Sequence, residues 1–185
     1  MKLHLIAALV VALFAGISYA EKASVKSGPQ VNEELAGPFH PLNVTGASKG
    51  EKHCLYCENG NNPVAMVFAR EVTPAVGKLI KKLDEVTTAN EGKKMGSYVV
   101  FCSNEEGLQG KLEKMAEKAN LNKIVLSIDN PAGPKGYEVA KDADVTVVLY
   151  TKRTVKANHA FAKGELNDKA IEKIVADVTK IVPGK

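Results

Sequence analysis

One short apolar run, Pro63-Val64-Ala65-Met66-Val67-Phe68-Ala69, decides the fold of this chain. A short continuous apolar run bounded by turn signals is typical of a strand that is buried on both faces. The only closely spaced cysteine pair, Cys54-Leu55-Tyr56-Cys57, precedes it across the polar turn Glu58-Asn59-Gly60-Asn61-Asn62. After the run, Thr73-Pro74 offers a helix cap and a first-turn proline. The run therefore predicts the central strand of a buried sheet, with both thiols just upstream.

The rest of the chain predicts alternating strands and helices. Helical spacing of apolar residues follows Pro74, Asn104 and Asn167, and strands are expected at residues 97–102, 123–128, 145–150 and 155–161. A short strand or edge hairpin is expected within residues 39–46, and one or two further helical turns at 137–140. The order β-α-β-α-β-(α)-β-β-α favours a mainly parallel sheet, with right-handed crossover helices on both faces and a closing antiparallel hairpin.

The N-terminus has the pattern of a secretory signal peptide over residues 1–20. Lys2 is its charged start, residues 5–16 are its apolar core, and Ser18-Tyr19-Ala20 provides small residues at a cleavage point. That apolar part is too short for a membrane span, so no membrane association is expected after cleavage. We expect a secreted or periplasmic protein with a flexible leader at residues 21–38 and one folded domain at residues 39–185.

Charge and composition exclude some classes of partner. The formal net charge is only +4, and the lysines are spread over helix faces rather than gathered in a block. Aromatic residues make up 5% of the chain, whereas nucleic-acid binding favours a basic stripe interleaved with aromatic side chains. We therefore expect no nucleic-acid partner. Export implies an oxidising compartment, in which Cys54 and Cys57 form a natural pair and Cys102 is left over.

This order of elements, with a dithiol near the first core strand of an exported domain, resembles the thioredoxin superfamily. The additional helix and strand over residues 105–128 make the chain similar to the redoxin and peroxiredoxin branch. The resemblance covers residues 39–182 and implies an α/β three-layer sandwich with a mainly parallel sheet, a C-terminal antiparallel hairpin and a final helix. It also implies thiol–disulfide exchange with protein thiols or disulfides as partners, and no cofactor.

The chain departs from the family pattern at two places. The family's reactive cysteine usually follows the core strand, where this chain has Phe68-Ala69-Arg70-Glu71-Val72-Thr73-Pro74-Ala75 without a thiol. The family's cis-proline usually precedes the first hairpin strand, where this chain has Asp142-Ala143-Asp144-Val145. The usual active site is therefore expected to be empty, and a binding protein that kept the scaffold without its chemistry is an alternative function.

Three roles are open to Cys54 and Cys57. A dithiol at this spacing can exchange electrons through a mixed disulfide, with either sulfur as the attacker. It can also form a static disulfide, although so small a ring contributes only about 2 kcal/mol, against about 3 kcal/mol for a fifteen-residue loop. As a third role, the two sulfurs with His53, and with His40 or His159 from elsewhere, could carry copper or zinc, but no second ligand pair completes such a site in sequence.

Other candidate residues have simpler interpretations. Cys102 ends a predicted core strand and is expected to be a buried, inert thiol rather than a resolving partner. Thr73 is expected to cap its helix rather than act as a nucleophile. Arg70 with Glu71 is a candidate surface ion pair. A haem attached through Cys-x-x-Cys-His is excluded because Glu58 follows Cys57.

Overall fold

A computed structural model describes residues 25–182, which form a six-stranded sheet with four α-helices. The strands are β1 (Leu42–Asn43), β2 (Val64–Ala69), β3 (Gly96–Cys102), β4 (Val125–Asp129), β5 (Val145–Thr151) and β6 (Thr154–Phe161). The helices are α1 (Leu55–Asn59), α2 (Pro74–Ala89), α3 (Leu108–Ala119) and α4 (Asp168–Asp177). Within this part of the chain no helix is long and apolar enough to cross a bilayer. The predicted signal peptide at residues 1–20 lies outside the described residues.

The strands lie in the order β1-β4-β3-β2-β5-β6, so the apolar run that forms β2 is inside the sheet as predicted. β2, β3 and β4 are parallel to one another. β1 pairs with β4, and β5 pairs with both β2 and β6, in the antiparallel sense. The parallel core and the closing hairpin are thereby confirmed. Because the hairpin pairs directly with β2, the sheet is mixed, and its parallel character is limited to β2, β3 and β4.

The two faces of the sheet are covered differently, because successive strand side chains point to opposite faces. On one face, Ala65, Val67 and Ala69 of β2 pack in a cluster with residues of α2, α3 and α4. On the other face, Val64, Met66 and Phe68 pack with α1 and with Leu35 and Phe39. The crossovers from β2 to β3 and from β3 to β4 run the same way across the sheet, so crossovers of one hand place α2 and α3 on one face. The predicted helical layer on the second face is therefore replaced by α1 and the N-terminal segment.

The N-terminal segment, which we define as residues 27–39, lies along the domain. Val155 of β6 accepts a hydrogen bond from Asn32 N–H and donates one to the Glu33 carbonyl, at 2.9 and 3.0 Å. Leu35 is only 7% exposed, and the Ser27 hydroxyl accepts a hydrogen bond from Thr146 Oγ1 at 2.7 Å. The structure therefore differs here from the predicted flexible leader, whose residues 21–24 lie outside the described part. The sequence pattern misses these contacts because they are made by backbone groups and isolated side chains, without an apolar period.

Residues 137–140 form no helix, contrary to the sequence prediction. Tyr137 is instead a core residue, 1% exposed, whose hydroxyl donates to the Gly37 carbonyl at 2.6 Å. Its ring packs edge-on against those of Phe39 and Phe68, with centroids 4.9 and 5.7 Å away. This aromatic contact ties the loop before β5 to the N-terminal segment, so tertiary packing decides the conformation there.

A buried carboxylate in α2 organises the start of β4. Asp84 is 2% exposed, and its Oδ1 accepts backbone N–H hydrogen bonds from Asn122, Lys123 and Ile124 at 3.1, 2.8 and 3.0 Å. Hydrogen bonds to a charged acceptor are stronger than those between neutral groups. Asp84 therefore fixes where the turn after α3 enters the sheet.

Candidate functional site: the Cys54–Cys57 pair

The two cysteines lie at the start of a short helix, α1, which the sequence analysis does not predict. Cys54 is the N-cap of α1, and it forms a disulfide with Cys57, with Cα atoms 5.2 Å apart. Cys57 N–H donates a hydrogen bond to Cys54 Sγ at 3.1 Å. A sulfur in the capping position thus takes the role that a serine or aspartate oxygen usually has.

The two sulfur-bearing residues differ in exposure. Cys54 is 5% exposed, and the next residues, Leu55 and Tyr56, are 2% and 7% exposed. Cys57 and Glu58, by contrast, are exposed. Within the disulfide, Cys54 is therefore buried and Cys57 is exposed to solvent.

The buried end of the disulfide belongs to an apolar cluster that includes three tyrosines of the sheet face and its loop. Tyr98 OH donates to Met66 Sδ at 3.2 Å and lies 3.3 Å from Tyr150 OH, so the hydroxyls satisfy one another. Desolvation by burial is the main reason that the pKa values of Tyr98 and Tyr150 lie above their usual range. The tyrosine side chains in the cluster around Cys54 are therefore uncharged.

Helix α1 is anchored at the end of the sheet where β2 and β3 begin. Asn59 caps the helix from within, its Nδ2 donating to the Leu55 carbonyl at 2.8 Å. Gly96, the first residue of β3, lies so close to the Asn59 side chain that a Cβ there would overlap Oδ1. Lys152 N–H, from the turn between β5 and β6, donates to the Asn61 carbonyl at 3.1 Å.

Two charged contacts border the disulfide. Arg153 places its guanidinium 4.9 Å from the centre of the Tyr56 ring. His53 and Glu58, which flank the cysteine pair in sequence, form a contact of 3.1 Å at the surface. The Arg153 guanidinium therefore covers the ring of Tyr56, whereas Cys57 remains exposed to solvent.

The position that the family resemblance assigns to the reactive cysteine lies at the other end of β2. That strand has six residues and spans about 17 Å at roughly 3.3 Å per residue. The described residues contain no cis peptide bond. The Cys54–Cys57 pair is thus a separate site, not the usual one reached from another direction.

Arg70 lines an open cleft at that usual position, together with Glu71, Val72 and Cys102. Its Nε, Nη1 and Nη2 donate to the carbonyls of Ala143, Pro131 and Ala140, each at 2.8 Å. The predicted pairing of Arg70 with Glu71 is wrong: Glu71 bonds Lys163 at 2.6 Å, because Arg70 turns inward to the loop carbonyls. The sequence signal that could have located this arginine is its place directly after a buried strand, facing a loop rich in proline and glycine.

Thr73 and Cys102 behave as predicted. Thr73 Oγ1 accepts the Val76 N–H at 3.2 Å and caps α2. Cys102 is 3% exposed, and desolvation by burial raises the pKa of its thiol to about 12. It is a free thiol at the end of β3, and its burial agrees with the expectation of an inert cysteine.

Of the histidines considered as metal ligands, His53 adjoins Cys54 and pairs with Glu58, whereas His159 lies elsewhere in the fold. His159 Nε2 lies 3.0 Å from Asp177 Oδ2, between β6 and α4. Burial lowers the pKa of His159 below its usual value, against the opposing effect of the Asp177 carboxylate. In residues 25–182 no group of three or more His, Cys, Asp or Glu side chains is arranged to hold a metal ion.

Comparison with known proteins finds similar folds among solved structures. No family model and no curated protein matches the chain. A solved structure of a putative protein disulfide isomerase from Bacteroides thetaiotaomicron has a TM-score of 0.63 at 12% identity, over 85% of this chain and 94% of that one. A reduced 2-Cys peroxiredoxin from Plasmodium vivax has a TM-score of 0.60 at 17% identity, over 81% and 80%.

A secreted Mycobacterium tuberculosis disulfide oxidoreductase, homologous to E. coli DsbE, has a TM-score of 0.53 at 13% identity, over 76% of this chain and 93% of that one. At these identities the similarity concerns the arrangement of strands and helices. The parallel β2-β3-β4 core, the closing hairpin and the last helix agree with it. The chain has a thioredoxin-like fold.

Proposed function

We propose that this protein is an exported thiol–disulfide exchange protein that acts through Cys54 and Cys57. The observation that carries the proposal is the exposure of Cys57 in a disulfide that the rest of the fold does not need. A protein partner can reach that sulfur without any rearrangement of the core. The partners are thiols or disulfides of other proteins.

A purely structural role explains the disulfide less well. A ring closed by cysteines three positions apart restricts the unfolded chain little, so it stabilises by only about 2 kcal/mol. The helix that carries it is already fixed by the buried side chains of Leu55 and Tyr56 and by the Asn59 hydrogen bond. A staple at this position would add little to an element that is anchored without it.

Proteins of similar structure support the same class of chemistry. They include a putative protein disulfide isomerase and a secreted disulfide oxidoreductase. For this chain, the exchange chemistry is proposed on the strength of its own dithiol. The dithiol lies at the opposite end of β2 from the family's usual site, so the proposed activity rests on the local geometry of α1.

Export is proposed from the sequence of residues 1–20. The charged start, apolar core and small-residue exit predict cleavage after Ala20. Expression of the full chain with mass analysis of the secreted or periplasmic fraction tests this directly. A mature protein that begins at Glu21 is expected, and full-length protein confined to the cytoplasm would contradict it.

The reduction potential tests the exchange activity. The protein is equilibrated with glutathione buffers of graded ratio, and the Cys54–Cys57 couple is read by alkylation and mass analysis. We expect a potential above about −300 mV, the region below which structural disulfides usually lie. The Cys102→Ser variant should give the same value. A couple that stays oxidised at all accessible ratios would show a structural disulfide.

A second candidate function is that of a non-catalytic binding protein. The observation in its favour is that residues 68–75 contain no thiol at the usual position, where Arg70 instead donates to three loop carbonyls. In that case the Cys54→Ser, Cys57→Ser double variant would keep full function in the cell. Loss of function in the double variant, with unchanged folding, would favour the exchange protein.

A further inference from the structure

We infer that Cys57 is the sulfur that bonds to the partner and that Cys54 is the sulfur that leaves and returns. This order reverses the sequence order of attack that the N-terminal position of Cys54 would suggest. The inference rests on the proposed exchange function, and it assigns the two roles within that site. Two independent observations carry it: the exposure of each sulfur-bearing residue and the hydrogen bond between them.

Exposure decides which sulfur a partner can reach. Thiol–disulfide exchange requires a thiolate to approach one sulfur directly, so the rate depends on access to the sulfur that is attacked. Cys54 is 5% exposed and shares its cluster with Leu55 and Tyr56, whereas Cys57 is exposed. A partner therefore meets Cys57.

The hydrogen bond supports Cys54 as the leaving sulfur. Cys57 N–H donates to Cys54 Sγ at 3.1 Å. A hydrogen bond to the charged form of a group favours that form, so it offsets part of the desolvation that opposes a thiolate at the buried Cys54 as the disulfide opens. A sulfur that is more stable as a thiolate also leaves faster. The backbone thus supports departure from Cys54 when Cys57 is attacked.

The oxidising direction can be written in two balanced steps. A thiolate of the partner attacks Cys57 Sγ, the Cys54–Cys57 bond breaks, and its electron pair goes to Cys54 as a thiolate. A second thiolate of the partner then attacks the partner sulfur in this mixed disulfide, and Cys57 leaves as a thiolate. Both cysteines take up the protons that the two partner thiols released. The partner's thiols become a disulfide, and this protein is reduced by two electrons.

The reducing direction uses the same sulfurs in reverse. The Cys57 thiolate attacks a disulfide of the partner and forms the mixed disulfide, releasing one partner thiolate. Cys54 then attacks Cys57 Sγ, restores the internal disulfide and releases the second partner thiolate. A low-molecular-weight disulfide or dithiol returns this protein to its starting state. In both directions Cys54 never bonds to the partner.

Single-cysteine variants measure the order. In a Cys102→Ser background, the Cys54→Ser and Cys57→Ser variants are reacted with a folded carrier protein whose surface thiol is activated as a thionitrobenzoate disulfide. Release of thionitrobenzoate gives the rate. We expect the variant that keeps Cys57 to react at least about tenfold faster than the variant that keeps Cys54, because access controls the reaction. In denaturant the two rates should converge.

Equal rates in native buffer, or a faster reaction of Cys54, would overturn the inference. Circular dichroism tests whether both variants are folded. A second measurement uses the wild-type protein. Oxidised wild-type protein is mixed with a carrier protein bearing one thiol, the mixture is acid-quenched, and the mixed disulfide is located by peptide mass analysis. Linkage at Cys57 supports the inference, and linkage at Cys54 contradicts it.

These results separate the inference from the proposed function. If the potential of the couple is that of a structural disulfide while single Cys57 still reacts faster, the function fails and the order of access stands. If the couple exchanges readily but the carrier is linked to Cys54, the function stands and the assigned order fails.

Discussion

Arg70 Nε donates a hydrogen bond to the carbonyl of Ala143 at 2.8 Å, across the position where thioredoxin-like proteins usually carry their active site. The same guanidinium binds two further carbonyls, of Pro131 and Ala140. An arginine thus holds the end of β2 to the loop before β5. Arg70 therefore has a structural role at one end of β2, whereas the exposed Cys57 belongs to helix α1.

Replacement of Arg70 by Met should destabilise the fold without affecting the disulfide. Hydrogen bonds from charged donors contribute about 1.5 to 3 kcal/mol, so we expect a loss of about 2 kcal/mol or more in the free energy of unfolding. Urea denaturation measures the loss, and the exchange rate of the folded variant should be unchanged. Lys163→Met is the matched control, and it should have little effect because its partner Glu71 is at the surface. A wild-type midpoint for Arg70→Met would contradict this role.

Gly96→Ala should loosen α1 without altering either cysteine. The added Cβ would overlap Asn59 Oδ1 and displace a side chain that bonds the Leu55 carbonyl. We expect a loss of about 1 kcal/mol from that hydrogen bond and faster reduction of the disulfide by dithiothreitol. Gly77→Ala is the control, because nothing lies within 4 Å of its Cβ position, and in a helix it should stabilise by up to about 1 kcal/mol. The same sign of change in both variants would refute the contact.

Asp84→Asn should be among the most destabilising single changes in the chain. The amide keeps the shape of the side chain, but it loses the charge that strengthens three backbone hydrogen bonds. We expect a loss of about 2 to 3 kcal/mol, measured by chemical denaturation. Asp142→Asn, at an exposed position, should stay within about 0.5 kcal/mol of wild type. A small effect for Asp84→Asn would show that the start of β4 is fixed by other contacts.

Stability should fall as the pH is lowered through the region just below 6.5. Burial lowers the pKa of His159 in the folded state, so the unfolded chain takes up this proton first. The contribution of neutral His159 is therefore complete above its unfolded pKa of about 6.5 and declines below it. The Asp177 carboxylate, whose folded pKa is lowered by its contacts with Lys180 and His159 against the opposing effect of burial, loses its contribution only at more acidic pH, below about 4.

His159→Gln tests this pH dependence, since the amide can still donate to Asp177. Thermal unfolding between pH 7.5 and 5.5 should be flatter for the variant than for wild type. His53→Gln is the control, because that histidine faces Glu58 at the surface. An unchanged pH profile in His159→Gln would assign the effect to another group.

Cys102 should resist alkylation in the native reduced protein. Its thiol pKa of about 12 leaves almost no thiolate at pH 8. Relative to the chain in urea, we expect iodoacetamide to modify native Cys102 more than about a hundredfold more slowly. Modification of Cys57 in the same reaction serves as the internal standard. Comparable labelling of both residues would mean that the β3 end opens in solution.

Much of the fold could be predicted from local patterns. β2 and the hairpin have strongly apolar or β-branched sequences, and Thr73-Pro74 and Asn167 are residues that begin helices. The packing of residues 27–39 against the domain could not be predicted, because it depends on partners more than one hundred residues away, such as Thr146 for Ser27. Local patterns likewise miss the core position of Tyr137, because its ring contacts are with Phe39 and Phe68, which are far away in sequence.

The candidate site was only partly predictable. The spacing of Cys54 and Cys57 identified the pair and left the attacker open, since spacing carries no information on exposure. The short helix α1 was missed because five residues give too little apolar periodicity, and because a cysteine is an unusual N-cap. The inward turn of Arg70 likewise depends on three loop carbonyls that no local pattern indicates.

Each edge of the sheet forms backbone hydrogen bonds with another segment of the same chain. At one edge, Asn32 and Glu33 form hydrogen bonds with Val155 of β6. At the other edge, Asn43 N–H donates to the Glu51 carbonyl at 2.9 Å, and Gly50 N–H donates to the Asn43 carbonyl at 2.8 Å. Unpaired edge strands promote intermolecular pairing and aggregation. Trimming the chain back to residue 39 would remove the pairing at Val155 and should make the protein more prone to aggregation through β6.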